Sequence, residues 1–428
     1  MSDIHLNRRA FGRLLAAGAG AAALSACGAR SAPGPNTPLR ISAVNHVWSQ
    51  AVQKRLPEFE ELIGRRVSMQ LLTADQLSNS YNVKLNASAT DIDVMMVRAL
   101  QEQLLFARNG WLADLTGLVQ DQEFAWTDFQ QAPRDRSITR GKVLSVPVVT
   151  ERPALYYRKD LVSGPPATLD ALREEAFRLT GPDMFGYVGR GQRSGAVTQW
   201  SSFLYSFGGD FTTADGGSGI GSPEAVAAYR YYGELLDRAG PPGATNMSLE
   251  QAMPIFAQGK AAFYVDADAI YSNFLDPAIS TVQEQVGFAP FPAGPAGSKP
   301  HNIPSWSVGI NEFSMLRDDA WRFIRWISGR QMVNELQAAG IPGARASAWA
   351  DPATLTAFPP ELAEAMRVNA ENGIGHDRPE VIQVGRARDI VGRPLVAGII
   401  GQDVAPVAAE AHAEFTDFLV RDNRQQEF

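Results

Sequence analysis

The sequence predicts an α/β fold, because short apolar runs alternate with segments that carry apolar residues on one helical face. Residues 92–97 form an apolar run of the kind expected for a strand buried on both faces. Residues 318–327 are strongly amphipathic and rich in tryptophan. Alternation at this spacing favours α/β units on a mostly parallel sheet. The 428 residues correspond to about two to three compact units.

The first α/β region begins the globular part of the chain. Its strands are predicted at Leu39–Val44, Val67–Leu72 and 92–97. Its helices are predicted at 50–63, 77–87 and 101–109. We expect the first helix to be perturbed by Pro57 and to end at Gly64.

A second α/β region follows the apolar runs at 143–149 and 155–157. Its helices are predicted at about 168–179, 196–207, 222–239 and 248–258. Its strands are predicted near 261–266 and Val286–Ala289. Stretches rich in proline and glycine, at 290–300 and 340–343, interrupt the pattern. Two further helices are predicted at 318–327 and about 403–421.

The composition excludes several classes of protein. A hydrophobic fraction of 45% with 20% charged residues excludes wholesale disorder. The net charge of −7 argues against a nucleic-acid-binding protein, which needs a basic face. One cysteine allows neither an internal disulfide nor a cysteine-rich zinc site, and the 5 histidines lack metal-ligand spacing. We therefore predict no metal and no cofactor.

Residues 1–26 have the pattern of a signal peptide, with arginines ahead of a short apolar, Ala/Gly-rich segment. The segment LSAC at 24–27 resembles a bacterial lipobox, which implies a lipidated Cys27; the alternative is an incidental cysteine near an ordinary cleavage site. The segment RRAF at 8–11 partly matches a twin-arginine signal, so that route and general secretion both stay open. Residues 27–38 are expected to be the lipidated cysteine and a flexible tether.

Five stretches carry a resemblance to a known family. They are DIDV at 91–94 with NGWLADL at 109–115, GKVLSVP at 141–147 with LYYRKDL at 155–161, FAQGKAA at 256–262, VGFAPFP at 286–292 and AWRFIRWI at 320–327. In this order they resemble extracellular solute-binding proteins of ABC importers, family 1, the carbohydrate-type group that includes maltose-binding proteins.

The resemblance implies a two-lobed periplasmic-binding-protein fold of type II, with lobes joined by a hinge that the chain crosses more than once. Carried onto this sequence, one lobe comprises 39–148 with 308–342, and the other comprises 149–307 with 343–428. The crossings fall near 147–152, 304–309 and 340–345. A solute binds in the cleft and favours the closed arrangement of the lobes.

The resemblance also implies a function. The expected protein is a monomeric lipoprotein, exported and anchored on the periplasmic or cell-surface side, that captures a sugar or sugar-like solute. It would deliver this solute to the membrane permease subunits of an ABC importer. The sequence contains no nucleophile elbow, P-loop or HExxH motif, so no enzymatic activity is predicted.

Candidate ligand-binding residues in the first lobe follow its strands. Asn45, His46 and Trp48 come just after the first strand, and Arg98 follows 92–97. Trp48 either stacks on the ligand or packs under the next helix. Arg98 either contacts the ligand or forms a structural ion pair.

Further candidates come from the hinge and the second lobe. Glu151 matches a ligand-contacting glutamate of the family by its spacing, and Arg152 beside it either binds ligand or braces the hinge. Gln192 and Arg193 lie in a Gly-rich loop that could hold an oxygen-rich or anionic group, or be a surface loop.

Three more positions complete the set of candidates. Asp266 and Asp268 follow a strand and either accept ligand hydroxyls or cap the next helix; many relatives have an aromatic platform there, which this chain lacks. Trp306 matches an aromatic residue of the family at a hinge crossing. Arg345 follows the third crossing and is a candidate for the cleft.

Two alternatives remain at this point. The same fold could bind an anionic polyol derivative, such as a glycerophosphodiester or an acidic or sulfonated sugar, because arginine suits oxyanions. The arginines concerned are Arg98, Arg152, Arg193 and Arg345. A remote alternative is a surface-anchored carbohydrate hydrolase that uses Asp266, Asp268 and Glu151 as acid–base groups.

Overall fold

Two β-sheets with helices packed around them organise the computed structural model, which describes residue 34 and residues 36–425. Residues Pro38–Phe428 belong to one compact unit. The predicted signal peptide, Cys27 and most of the predicted tether lie outside the described residues.

The strands fall into two main sheets and one short hairpin. Their bounds are β1 Leu39–Val44, β2 Val67–Leu72, β3 Val94–Val97, β4 Ile138–Thr139, β5 Lys142–Val143, β6 Val146–Glu151, β7 Pro153–Arg158, β8 Phe185–Val188, β9 Ala261–Ala267, β10 Val286–Ala289 and β11 Ile303–Ile310. The five-stranded sheet has the order β2-β1-β3-β11-β6, and the four-stranded sheet has the order β10-β7-β9-β8. Strands β4 and β5 pair with each other.

Helices surround both sheets. Their bounds are α1 Val47–Lys54, α2 Leu56–Ile63, α3 Ala74–Asn86, α4 Ala99–Arg108, α5 Gln131–Arg136, α6 Leu169–Leu179, α7 Arg193–Ser206, α8 Pro223–Ala239, α9 Leu249–Ala257, α10 Ser272–Leu275, α11 Arg317–Ser328, α12 Arg330–Ala338, α13 Ala346–Ala350, α14 Pro360–Glu371, α15 Val384–Val391, α16 Arg393–Ile399 and α17 Val404–Gln425. This α/β arrangement confirms the predicted fold class.

The expectation of mostly parallel sheets is wrong. Strand β1 is parallel to β2 and β3, and β8 is parallel to β9, but β11 and β7 are antiparallel to both of their neighbours. A parallel pair needs a crossover connection, usually a helix. Strands β6 and β7 follow each other directly in the chain and lie in different sheets, so no βαβ unit connects them.

The helix predicted at 50–63 is two helices. They meet at Arg55, and Pro57 lies in the first turn of α2, where its missing N–H costs nothing. The side chain of His46 accepts the backbone N–H of Trp48 and so caps the start of α1. Gly64 ends α2 in the left-handed conformation, with φ of 66°, as predicted.

Each sheet has its own apolar core. The core of the five-stranded sheet includes Trp48, Phe106 and Trp321. The four-stranded sheet is covered by two clusters, and in one of them Trp200 stacks on Tyr229 with ring centroids 4.0 Å apart. We call the parts built on the five-stranded and the four-stranded sheet the first and the second lobe.

The chain passes between the sheets at a hinge. Strand β6 of the first lobe ends at Glu151 and strand β7 of the second lobe begins at Pro153, so Arg152 alone joins them. Strand β11 returns to the first lobe, and its first residue, Ile303, pairs with Glu151. These two strands place their ends at the boundary between the lobes.

Candidate functional site

A cavity of about 250 Å³ lies against the hinge, between the two lobes. The first lobe contributes Arg98, Leu100 and Gln101, and the hinge strands contribute Glu151 and residues 303–306. The second lobe contributes Arg190, Thr198, Arg378 and Arg388. A molecule in this cavity would therefore contact both lobes.

The first-lobe wall is built at the end of β3. Arg98 follows that strand, precedes α4 and forms an ion pair with Glu102 at 3.0 Å. Its Nη2 also donates to the Ser78 hydroxyl at 2.8 Å, and its guanidinium carbon lies 5.8 Å from the ring centroid of Trp306. These contacts hold the guanidinium at the mouth of the cavity, beside an aromatic face.

Glu151 supplies the carboxylate of the hinge wall. Its Oε2 accepts a hydrogen bond from the Ser305 hydroxyl at 3.2 Å. Burial raises the pKa of Glu151 to about 7; Arg190 acts in the opposite direction, and nearby aspartates including Asp268 reinforce the rise. Near neutral pH this group can either accept or donate a hydrogen bond to a ligand hydroxyl.

Arg190 follows β8 and points into the cavity from the second lobe. Its Nε donates to Asp266 Oδ2 at 2.9 Å, and the same carboxylate accepts from Gln199 at 2.8 Å and from the Tyr264 hydroxyl at 2.6 Å. Burial disfavours the cation, but Asp266 outweighs it and raises the pKa of Arg190. The end of β9 thus orients this arginine.

Arg378 comes from the segment between α14 and α15. It forms a two-point ion pair with Asp377, at 2.6 and 2.5 Å. Burial disfavours the carboxylate, but the charge of Arg378 prevails and lowers the pKa of Asp377. The remaining Nη of Arg378 donates to Gln101 Oε1 at 3.2 Å, and this hydrogen bond joins the two lobes across the cavity.

Arg388, on α15, differs from the other three arginines. It donates to the Ser194 carbonyl at 2.8 Å and to the Thr198 hydroxyl at 3.1 Å, both neutral oxygens. Within the described part of the chain it forms no ion pair. Burial lowers the pKa of Arg388 to about 9; the charges of Arg378, Arg190 and Arg98 add to this effect, and the charge of Asp377 opposes it. Its positive charge is therefore the least compensated in the cavity.

Three of the sequence-predicted residues line this cavity: Arg98, Glu151 and Trp306. Trp306 is 9% exposed. Asp266 lies directly behind the wall, where it binds Arg190. These four residues come together from both lobes and the hinge, as strand ends of an α/β fold do.

Arg152, Asp268 and Arg345 are placed elsewhere. Arg152 and Asp268 form an ion pair of 2.6 Å inside the hinge, and both side chains are 0% exposed. Arg345 is buried between α11 and the segment before α5, where it donates to the carbonyls of Ser328 and Phe124. The structure thus gives these three side chains protein partners and no place on the cavity wall.

The other predicted residues also lie outside the cavity wall. Trp48, on α1, is buried in the first-lobe core and does not line the cavity. Asn45 accepts a hydrogen bond from Gln50 at 2.8 Å, while His46 caps α1. The remaining two, Gln192 and Arg193, are exposed where α7 begins.

Sequence reasoning missed several cavity residues. They are Leu100, Gln101, Thr198, Arg378 and Arg388. No local pattern distinguishes Arg378 or Arg388 from the other basic residues, of which the chain has 39 lysines and arginines in all. The Gly-rich loop at 189–194 did indicate this region, since it contains Arg190.

The described residues contain no group of three or more His, Cys, Asp or Glu side chains arranged to hold a metal ion. Within residues 36–425 no helix has the length and apolar character needed to cross a membrane.

The chain is similar to known proteins over most of its length. A family model described as "Bacterial extracellular solute-binding protein" matches residues 46–333. A mannitol-binding protein of Pseudomonas aeruginosa is 27% identical, over 75% of this chain and 76% of that protein. An erythritol/L-threitol-binding protein of Mycolicibacterium smegmatis is 25% identical, over 75% of this chain and 71% of that protein.

Solved structures show the same fold. The maltose-bound MalE3 of T. maritima has a TM-score of 0.76 and 26% identity, and the match covers 89% of this chain and 100% of that chain. An ABC transporter solute-binding protein of Agrobacterium radiobacter K84, in complex with ribitol, has a TM-score of 0.76 and 24% identity, covering 90% and 100%.

Proposed function

The chain belongs to the bacterial extracellular solute-binding protein family, and we propose that it captures a small sugar or polyol between its lobes for an ABC importer. Membership of this family makes it an exported, solute-binding protein rather than one of a catalytic family. The observation that carries the proposal is the cavity at the hinge, which both lobes line.

Contact with both lobes is what such a protein requires. A ligand shifts the equilibrium towards the closed arrangement only if it binds that arrangement better than the open one. Here Arg98 and Gln101 face the cavity from the first lobe, while Arg190 and Arg388 face it from the second. A ligand that touches both pairs therefore stabilises closure.

The size and lining of the cavity favour a small polyhydroxy solute. Its volume of about 250 Å³ is below the roughly 300–1,000 Å³ of sites for drug-sized ligands. Trp306 offers an apolar face, and the carboxylate, amide and guanidinium groups offer hydrogen bonds to hydroxyls. The names of the relatives above, which bind mannitol and erythritol, support a ligand of this size.

The surroundings of the carboxylates support binding and not hydrolysis. A glycosidase needs a pair of carboxyl groups that flank its substrate. Asp266 and Asp268 are each engaged by an arginine, and of the three candidate carboxylates only Glu151 lines this cavity. The proposal therefore includes the absence of catalytic activity.

The proposal extends to the setting of the protein. We propose cleavage after residue 26, lipidation of Cys27 and a tether to residue 38, which would hold a monomer on the periplasmic or cell-surface side. Its partner would be the membrane permease of an ABC importer. We also propose the division into lobes that the sequence predicts, 39–148 with 308–342 and 149–307 with 343–428; the hinge strands β6 and β11 run across these boundaries.

Calorimetric titration of the purified protein with mannitol, ribitol, erythritol and maltose tests the proposal. We expect at least one of them to bind and to reduce the radius of gyration in solution scattering. Gln101→Ala should weaken that binding roughly three- to tenfold, since the hydrogen bond between the Gln101 side chain and the ligand is lost. Gln331→Ala, at an exposed position on α12, is the matched control. Silence across the panel, with binding of amino acids or peptides instead, would reject the proposal.

An anionic derivative of such a solute is a second candidate ligand. The observation that favours it is the presence of four arginines around one small cavity.

A further inference from the structure

Four guanidinium groups converge on the hinge cavity from separate parts of the chain. Arg98 follows β3, Arg190 follows β8, Arg378 precedes α15 and Arg388 lies on it. Bringing like charges to a volume of about 250 Å³ is costly unless opposite charges compensate them. The distribution of carboxylates around the cavity therefore indicates what it accepts.

Three of the arginines are each in an ion pair with a carboxylate, whereas Arg388 is in none among the described residues and only shares the more distant charge of Asp377 with Arg378. Glu102 pairs with Arg98, Asp266 with Arg190 and Asp377 with Arg378. Arg388 is bonded to the Ser194 carbonyl and the Thr198 hydroxyl and, among the described residues, to no carboxylate.

Glu151 is the remaining carboxyl group on the wall. It accepts from the Ser305 hydroxyl and forms no ion pair within the described residues. Burial raises its pKa to about 7, so a proton can neutralise it at little cost when an anion enters. With Glu151 protonated, the four arginines and the three carboxylates that pair with them together carry one excess positive charge.

The ion pairs also leave donors free. A guanidinium has five N–H donors, and a two-point pair uses one edge of it. Arg190 binds Asp266 through Nε and Nη2, and Arg388 uses Nε and Nη2 for its two neutral acceptors. The remaining Nη1 of each arginine has no hydrogen-bond acceptor among the described residues.

A helix terminus lies against the same cavity. Leu100 and Gln101, in the first turn of the ten-residue helix α4, are part of the wall. The positive end of a helix dipole favours an anion, but Glu102 of the same turn already accepts the Arg98 backbone N–H at 3.1 Å, so this terminus adds little to the positive potential.

We propose that the cavity binds a small polyol or sugar that carries one oxyanion group, a carboxylate or a phosphate. Arg388 is its charge partner, and the free edge of Arg190 donates to the same group. This inference rests on the proposed function, and it names the class of solute that the site prefers.

The test uses one carbon skeleton with three end groups, in calorimetric titrations of the purified protein: D-glucitol, D-gluconate and D-glucitol 6-phosphate. The three-carbon series glycerol, glycerate and glycerol 3-phosphate is run beside it. We expect one anionic member to bind at least tenfold more tightly than its neutral parent. That affinity should fall as sodium chloride is raised from 20 to about 300 mM, since the contact is between charges.

Variants of α15 localise the effect. Arg388→Gln should reduce the preference for the anionic member over its parent at least tenfold, whereas Arg386→Gln, at an exposed position on the same helix, should leave it unchanged. Thermal unfolding of each variant checks that it folds. If Arg388→Gln does not fold, the salt dependence of the unmodified protein still decides the matter.

The failures are distinguishable. Neutral parents that bind as tightly as their anionic forms, without salt dependence, overturn the oxyanion site and leave the proposed function intact. Silence from all members of both series, neutral and anionic, overturns this proposal. Silence from the neutral panel of the previous subsection as well counts against the proposed function itself.

Discussion

Two arginine–aspartate pairs lie at the end of β9, one inside the hinge and one on the cavity wall. Asp268 binds Arg152, whose side chain is 0% exposed and whose guanidinium carbon lies 4.7 Å from the Trp349 ring centroid. Asp266 binds Arg190, whose side chain is 16% exposed and faces the cavity. The same chemistry, two residues apart, therefore has two different surroundings.

Burial decides what a charged pair can do. A fully buried pair is stable only as a pair, because removal of one partner leaves an uncompensated charge. When the arginine of a pair lies on a cavity wall and keeps N–H donors that the pair does not use, those donors can bind a ligand. Variants of the two pairs separate these two roles.

Breaking the hinge pair should have the largest effect. Arg152→Gln leaves Asp268 buried without its cation, and we expect a loss of about 3–5 kcal/mol in the free energy of unfolding. Chemical denaturation monitored by tryptophan fluorescence measures it. A loss below about 1 kcal/mol would mean that the hinge pair is not structural.

The cavity pair should respond mainly in binding. In Arg190→Gln, Asp266 keeps its bonds from Gln199 and the Tyr264 hydroxyl, so the stability loss should be smaller than for Arg152→Gln. Ligand affinity should fall about tenfold, or about 1.4 kcal/mol. Titration calorimetry measures this, and Arg230→Gln, at an exposed position on α8, is the control. Equal stability losses in the two variants would remove the distinction between the pairs.

Glu151 should make stability depend on pH. Its folded-state pKa of about 7 lies above the ordinary value, so its contribution to stability is full below about pH 4.5 and is lost as the pH rises through 7. Between pH 5 and pH 8 the protein should lose about 1–3 kcal/mol relative to Glu151→Gln. Denaturation of both forms at the two pH values measures the difference, and parallel curves would refute it.

Removal of the α1 cap should have the smallest effect. His46→Ala deletes the acceptor for the Trp48 N–H, and the loss of an N-cap costs about 0.5–2 kcal/mol. Because His46 lies outside the cavity wall, we expect ligand affinity to stay unchanged. A clear drop in affinity, with stability intact, would instead make His46 a ligand contact, as the sequence first indicated.

The fold was predictable where patterns are local. Strands β1, β2 and β10 have the predicted bounds, and α8 and α17 agree within a few residues, since long periodic or uniformly apolar segments identify themselves. Helices α13 and α16 have 5 and 7 residues. They were missed because so short a segment does not show the helical period.

The site was predictable only in part, for a related reason. Arg98 was indicated because it follows a predicted strand, whereas Glu151 and Trp306 were indicated by the resemblance to the family. Arg378 and Arg388 come from a segment between helices and from a helix, and only the packing of the second lobe brings them to the cavity. Conversely, Arg152 resembled a ligand-binding arginine by its place at the hinge, and its complete burial could not be inferred locally.

A crystal structure of the protein with its tightest ligand from the titrations tests whether the ligand binds in the hinge cavity and contacts both lobes. We predict ligand density in the hinge cavity, with contacts to Arg98 or Gln101 from the first lobe and to Arg190 or Arg388 from the second. The Arg152–Asp268 pair should remain intact. Density outside this cavity, or a ligand that contacts one lobe alone, would contradict the account.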